Sequence, residues 1–165
     1  MKSITFEEGT TKVPEALFAL CNSIEEVTIP DSVTSLGVHA FYHCEGLRKV
    51  TLPNSLTELK NGGFGNSGTF NGCIRLNNIT LPDGLETIGS ASFMGCTSLT
   101  EIVIPSSVTF IGNYAFENCT ALENVTLPNS ITTIPTEMFT QCKVLADITI
   151  PSSVTTIGSK AFAGS

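Results

Sequence analysis

Six cysteines recur along this chain at nearly constant intervals, and their spacing constrains the fold more than any other feature. Successive intervals are 23, 29, 23, 23 and 23 residues, for cysteines at Cys21, Cys44, Cys73, Cys96, Cys119 and Cys142. A period between about 20 and 50 residues is typical of solenoids, in which each repeat buries its apolar face only against its neighbours. The sequence therefore predicts a β-rich (α/β) solenoid of about seven coils, forming a single domain over residues 1–165.

Alignment on the cysteines divides the chain into seven repeats, and the first is degenerate. There Glu7 stands where later repeats have proline, and Pro14 stands where they have glycine. Irregular terminal repeats of this kind shield the apolar core of a solenoid from water. The seven repeats span residues 1–26, 27–49, 50–78, 79–101, 102–124, 125–147 and a shortened 148–165.

The third repeat contains six extra residues within Lys60–Thr69. Glycine and asparagine dominate this segment, which is typical of a loop. We therefore expect a bulged loop, after which Phe70 and Cys73 restore the register of the repeat.

Each repeat opens on a short alternation of apolar and other residues that ends at a proline. In the most regular repeat, Ile102 and Ile104 flank Val103, and Pro105 follows. A period of two indicates a half-buried strand, and proline can end a strand because it has no N–H to donate. Stacked repeats would join these strands into a sheet.

A second extended segment follows and usually ends at glycine, and we expect a positive φ at Gly37, Gly89, Gly112 and Gly158. Next comes Ala-Phe or a close variant, as in Ala115-Phe116, three residues before the cysteine. This pattern predicts an aromatic ring in the core.

Disulfides between neighbouring coils are not excluded by distance, since stacked strands lie about 4.8 Å apart. The regularity of the column nevertheless favours free, buried thiols that pack as small apolar groups.

The composition and motifs argue against several classes of function. A net charge of −7 and a pI near 4.7 argue against nucleic acid as a partner, because phosphate binding needs clustered Lys and Arg. No apolar run approaches the ~18 residues of a membrane span, so we expect no direct membrane insertion. His39 and His43 are the only histidines, and no third ligand for a metal is placed near them. With no nucleophile elbow and no phosphate-cradling loop, we expect neither enzymatic activity nor a cofactor.

The repeat Leu-x-x-Ile-x-Ile-Pro-x-Ser-Val-x-x-Ile-Gly-x-x-Ala-Phe-x-x-Cys, nearly undisturbed from Leu99 to Cys119, resembles the BspA-like class of leucine-rich repeats. The resemblance covers nearly the whole chain. It implies a right-handed arc with a parallel concave β-sheet and with short turns or helical segments on the convex side. Like that class, the chain lacks an asparagine ladder, and serines two residues after the prolines could bond to the turn instead, at Ser32, Ser55, Ser107, Ser130 and Ser153.

The resemblance also implies a function. Proteins of this class occur on bacterial and protozoan surfaces and bind matrix proteins or other cells. We therefore expect a non-enzymatic, extracellular or cell-surface module that binds a host matrix protein, a cell-surface protein or a glycan. Nothing in the opening residues reads as a signal peptide, so this location rests on the resemblance.

Strand alternation places two columns of side chains on the outward face of the concave sheet, and these are the candidate partner-binding residues. One column is Thr28, Thr51, Thr80, Val103, Thr126 and Thr149, and the next is Glu26, Lys49, Asn78, Glu101, Asn124 and Asp147. The simpler interpretation is that threonine suits any exposed strand. Phe64 in the inserted loop is a further candidate, since an exposed aromatic can anchor a partner. It could equally fold back onto the core.

Two other interpretations stay open. The repeats could be a passive spacer or scaffold within a larger surface protein. An ice-adsorbing surface is disfavoured, because the column beside the threonines is charged. The last repeat stops at Ser165 with no polar capping turn, from which we expect either a piece of a longer protein or self-association through the exposed end.

Overall fold

The structure, a computed structural model, describes residues 3–62 and 67–165 as a stack of coils built from short strands. The first strand of each coil belongs to the concave set: β1 (Ser3–Ile4), β3 (Glu26–Thr28), β5 (Lys49–Thr51), β7 (Asn78–Thr80), β9 (Glu101–Val103) and β11 (Asn124–Thr126). The second set is β2 (Lys12–Val13), β4 (Ser35–Leu36), β6 (Glu58–Leu59), β8 (Thr87–Ile88), β10 (Phe110–Ile111), β12 (Thr133–Ile134) and β13 (Thr156–Ile157). Six coils have both strands, and the seventh has only the second.

All pairings are parallel and advance by one coil, which confirms the predicted solenoid. Val27 lies beside Val50, and Val50 lies beside Ile79, so the apolar residue of each concave strand stacks on its counterpart. The six-residue insertion leaves this register intact. Column assignments made on the cysteines are therefore correct on both sides of the insertion.

Of the two forms expected on the convex side, short turns are present and helical segments are absent from the described residues. The hydrogen bonds of successive N–H groups in these turns explain why no helix forms. The N–H of Phe93 donates to the carbonyl of Ala115 in the next coil at 2.9 Å, whereas the N–H of Met94 donates to Ala91 within its own turn at 3.2 Å. Because every second N–H is used between coils, the run of bonds to the residue four positions back that defines an α-helix cannot form.

Two turn residues adopt a left-handed conformation in every coil except the third, where Gly72 alone among the described turn residues does so. Non-glycine φ values run from 51° to 63°, as at Tyr114 and Asn118. The column that contains Asn118 has glycine in three coils, Gly72, Gly95 and Gly164. A left-handed residue interrupts a right-handed helix, so these positions also favour turns.

The glycines that follow the second strands are required by close packing, and the predicted positive φ there is wrong. A Cβ on Gly112 would lie 2.4 Å from the backbone nitrogen of Ser90 in the preceding coil. On Gly158 it would lie 2.4 Å from that of Thr136. A Cβ on Gly37 or Gly89 would lie 2.3 or 2.6 Å, respectively, from the nearest backbone atom of the preceding coil.

A continuous stack of phenylalanine rings fills the core on the turn side. Successive centroids are 5.3–5.8 Å apart and the rings are within 22° of parallel, for Phe18, Phe41, Phe70, Phe93, Phe116, Phe139 and Phe162. In the degenerate first coil, Phe6 meets Phe18 edge-on at 6.2 Å. That contact covers the first ring of the stack, in keeping with the capping role predicted for this repeat.

The prolines end the concave strands as predicted, and each starts a turn. The Pro105 carbonyl accepts the N–H of Val108 at 3.1 Å. The predicted serine bonds form in three coils, where Ser55, Ser107 and Ser130 donate to carbonyls of the preceding coil. Ser153 differs, because its buried Oγ has no hydrogen-bond partner among the described residues.

Both strand sets are interrupted, but at different places. The concave ladder runs through β1, β3, β5 and β7 and resumes with β9 and β11, while the second set divides into β2–β4, β6–β8–β10 and β12–β13. At the break between β10 and β12, Pro135 stands where Gly112 and Gly158 each donate an N–H to the preceding coil. Proline has no N–H to offer, so that bond is lost. Each pair of neighbouring coils nevertheless keeps at least one ladder.

Candidate functional site

The two predicted columns lie on the exposed face of the concave strands, and we call these twelve residues the concave surface. The register places Thr28 beside Thr51 and Thr51 beside Thr80. In the neighbouring column Glu101 lies beside Asn124. All twelve side chains are exposed: Glu26, Thr28, Lys49, Thr51, Asn78, Thr80, Glu101, Val103, Asn124, Thr126, Asp147 and Thr149.

The structure brings the last two of these residues to the same face without a strand. Asp147 and Thr149 continue the two columns in the seventh coil, but residues 146–150 are not a strand there. The paired part of the concave surface therefore ends at β11.

The side chains of the concave surface make no hydrogen bond or ion pair with any other described residue. Threonine hydroxyls and asparagine amides both donate and accept hydrogen bonds, so this face has unused capacity for a ligand. It carries three carboxylates and one ammonium group, and its one large apolar side chain, Val103, is 64% exposed.

Two shallow grooves cross the concave surface between coils. A groove of about 320 Å³ lies between β5 and β7, with Lys49, Thr51, Asn78 and Thr80 among its lining residues. A second, of about 260 Å³, lies where the concave ladder is broken between β7 and β9, and it is lined by Glu101 and Asp83 among others. The first groove is basic and the second is acidic, so the surface presents two different electrostatic environments.

The candidate Phe64 lies outside the described residues. The two ends of the inserted loop are held by the next coil. Asn61 Oδ1 accepts the N–H of Ser90 at 2.5 Å, and Gly68 packs against the backbone of Ala91 and Ser92. The loop thus leaves and rejoins the stack beside the second strand of coil four.

The cysteine column has a role that the sequence pattern did not predict. Each buried thiol donates a hydrogen bond to the phenylalanine carbonyl of the preceding coil, at 2.9–3.3 Å. Ser165, at the seventh cysteine position, makes the same bond through its hydroxyl to Phe139 at 2.6 Å. The substitution of serine for cysteine was the one signal in the sequence that pointed to a donor and not only to an apolar group.

All six cysteines are free, as predicted, and burial makes the five buried thiols poor nucleophiles. Desolvation by burial raises the pKa of the Cys44 thiol from 9.0 to about 11 and that of Cys142 to about 12. Burial also raises the pKa of Cys73, Cys96 and Cys119 well above 9.0. Since the thiolate is the nucleophile and the metal ligand, these cysteines are structural.

Other chemistry is sparse in the part of the chain that the structure describes. No group of three or more metal-ligating side chains occurs there. His43 pairs with Glu45 at 3.6 Å. The rings of His39 and His43 both pack against Tyr42. Within residues 3–62 and 67–165 there is no helix that could cross a membrane.

Comparisons with known proteins identify the repeat. A sequence family described as "BspA type Leucine rich repeat region" matches residues 1–69 and 66–165 in six copies. A comparison of the sequence with curated proteins finds no match.

Solved structures of bacterial leucine-rich repeat proteins are similar over most of the chain. A leucine rich repeat protein from T. pallidum is 33% identical with a TM-score of 0.84, over 93% of this chain and 69% of that one. A leucine-rich repeat protein from Bacteroides ovatus is 28% identical with a TM-score of 0.80, over 99% and 49%. A leucine rich cell surface protein from Faecalibacterium prausnitzii is 31% identical with a TM-score of 0.79, over 98% and 43%. The chain thus spans less than half the length of the last two proteins.

Proposed function

Because the chain belongs to the family of BspA-type leucine-rich repeat proteins, we propose that it is a non-enzymatic interaction module of a secreted or cell-surface protein. It binds a protein or glycan ligand through the concave surface. The module holds no cofactor, and its specificity comes from the side chains that the repeat leaves variable on an otherwise regular face.

One observation carries this proposal: twelve exposed side chains lie in two aligned columns and none is used within the described structure. Rigid strands hold ten of these side chains in place before a ligand arrives, which reduces the entropy lost on binding. The two grooves add concave features to the face. A cell-surface location is supported by the F. prausnitzii neighbour, which is itself described as a cell surface protein.

The proposal is tested by reversing charges on the concave surface. The wild-type chain is first assayed against a panel of extracellular matrix proteins and glycans. For a protein or an uncharged glycan found in this way, we expect Glu101→Lys combined with Asp147→Lys to weaken binding at least tenfold, because two carboxylates that face the ligand become ammonium groups. Both residues are exposed and unpaired, so the melting temperature should stay within a few degrees.

Glu86→Lys is the matched control for one charge reversal, since Glu86 is exposed but precedes a second strand and lies off the concave surface. Equal losses for Glu86→Lys and for Glu101→Lys alone would contradict a role for the concave surface.

A passive spacer is the alternative function. The regularity of the stack supports it, because every coil repeats the same inter-coil bonds whatever its outward residues are. A spacer predicts that the double charge reversal changes no measured property of the full-length protein on its cell.

A further inference from the structure

We propose that Arg48 and Arg75 form an anion-binding pocket at the rim of the concave surface, and that it takes a sulfate or carboxylate group of an acidic polysaccharide. Arg48 and Arg75 line an open pocket of about 270 Å³ together with Asn77 and Ser98. The pocket lies beside the concave surface and shares no residue with it.

The repeat brings these four residues together. Arg48 and Asn77 hold equivalent positions in successive coils, and the Arg48 carbonyl accepts the N–H groups of Asn77 and Asn78, both at 3.1 Å. Arg75 and Ser98 are likewise one repeat apart. Two columns of the turn after the cysteine therefore meet at this point, each supplying one arginine and one neutral hydrogen-bonding side chain.

The charge at this point is unusual for the chain. Arg48 and Arg75 are its only two arginines, in a sequence with 15 acidic residues and a net charge of −7. No carboxylate lines the pocket, and among the described residues neither guanidinium forms an ion pair. Two neighbouring cations repel each other, and an oxoanion between them would relieve that repulsion. Arginine suits this role because its planar fork of N–H groups matches two oxygens of a sulfate or carboxylate.

The chemistry of the lining favours a sugar polymer over a folded protein. All four side chains offer hydrogen bonds or charge, whereas protein partners are usually held by buried aromatic and apolar anchors. The next residues along the chain, Lys49 and Asn78, line the basic groove of the concave surface. A polysaccharide with regularly spaced anionic groups and hydroxyls can engage both places, and tethering raises the effective concentration of each group.

Heparin oligosaccharides, which carry both sulfate and carboxylate, are the probe for the test. Calorimetric titration of the whole chain at low salt should give binding that weakens as salt is added. We expect Arg48→Gln and Arg75→Gln each to reduce the affinity about tenfold, the effect of losing a charge-assisted hydrogen-bonding partner. Glu25→Gln should strengthen binding, because Glu25 precedes Arg48 by one repeat and is the carboxylate nearest to it by register.

Lys143→Gln is the matched control, because it removes one positive charge from an exposed position in another coil. It should change the affinity less than twofold. The pocket is overturned if heparin does not bind, if Lys143→Gln weakens binding as much as the arginine variants do, or if those variants leave the affinity unchanged with melting temperatures equal to wild type. Equal binding of poly-glutamate would overturn the choice of polysaccharide. Glu101 lies in the acidic groove between β7 and β9 and not in the arginine pocket. Glu101→Lys should therefore not lower the affinity for heparin, so the pocket and the concave surface are tested independently.

Discussion

At the scale of single residues, the cysteine column shows that a small apolar side chain can also serve as a hydrogen-bond donor. The Phe93 carbonyl accepts the N–H of Cys96 in its own turn and the thiol of Cys119 from the next coil. A buried carbonyl has two lone pairs, and satisfying both stabilises the turn. Cysteine combines this weak donor with a side chain that packs well against phenylalanine rings.

Replacement of Cys119 separates the donor role from packing. Serine and alanine both lose the sulfur volume, but only serine keeps a donor toward Phe93, as Ser165 does toward Phe139. We expect Cys119→Ser to be about 1 kcal/mol more stable than Cys119→Ala, the usual net value of a hydrogen bond. The free energy of unfolding in urea measures the difference. A purely apolar role gives the opposite order, because an unpaired buried hydroxyl is costly.

At the scale of structural elements, the second strand and the turn after it depend on close approach between coils. Gly112 lies on the backbone of Ser90, and its N–H donates to the Ile88 carbonyl at 2.8 Å. Space, and not a left-handed backbone, selects glycine at this position. Left-handed residues occur two positions later, where side chains as large as Tyr114 are present.

Gly112→Ala should therefore destabilise the protein by about 2 kcal/mol or more, because the new methyl group meets backbone that cannot move aside. Gly84→Ala is the control, since a Cβ there meets only the Asn54 carbonyl oxygen at 3.7 Å and φ is not positive. Gly84→Ala should be neutral or stabilise the protein by up to about 1 kcal/mol, because alanine lowers the conformational entropy of the unfolded chain. Chemical denaturation of both variants gives the comparison, and similar costs for the two would contradict the packing explanation.

Much of the arrangement of strands and outward columns was predictable from the sequence. The cysteine period placed the concave strands, the prolines that end them and the outward columns, because each depends on local alternation that repeats 23 residues later. The turn conformation was not predictable, since it depends on which N–H groups bond between coils, as Phe93 does with Ala115. The arginine pocket was missed for a similar reason. Arg48 and Arg75 are 27 residues apart and belong to different columns, so no single-column alignment brings them together.

At the scale of the whole molecule, stability is a sum over neighbouring coils, and the phenylalanine stack is the longest element that they share. Phe93 contacts Phe70 on one side and Phe116 on the other, at 5.5 and 5.3 Å. A change in one ring therefore reaches the two coils next to it.

We expect Phe93→Ala to cost about 3–5 kcal/mol, the usual range for a buried phenylalanine, and to lower amide protection in coils three, four and five. Phe110→Ala is the control. Phe110 is 50% exposed on an outward position of β10, so its removal should cost no more than about 0.5 kcal/mol. Hydrogen exchange read by mass spectrometry locates the effect. Loss of protection confined to coil four would contradict transmission through the stack.

The staggered interruption of the two strand sets has a mechanical consequence. Bonds on the turn side join every pair of neighbouring coils, whereas each strand set lacks a ladder at two of these junctions. When the molecule flexes, the turn side should keep its length, and the opposite side should open or close at junctions such as that between β7 and β9. The distance between Thr80 and Val103 would then vary more than the distance between Thr51 and Thr80, which a ladder fixes. A ligand that spans both steps would meet one rigid and one compliant half of the same face.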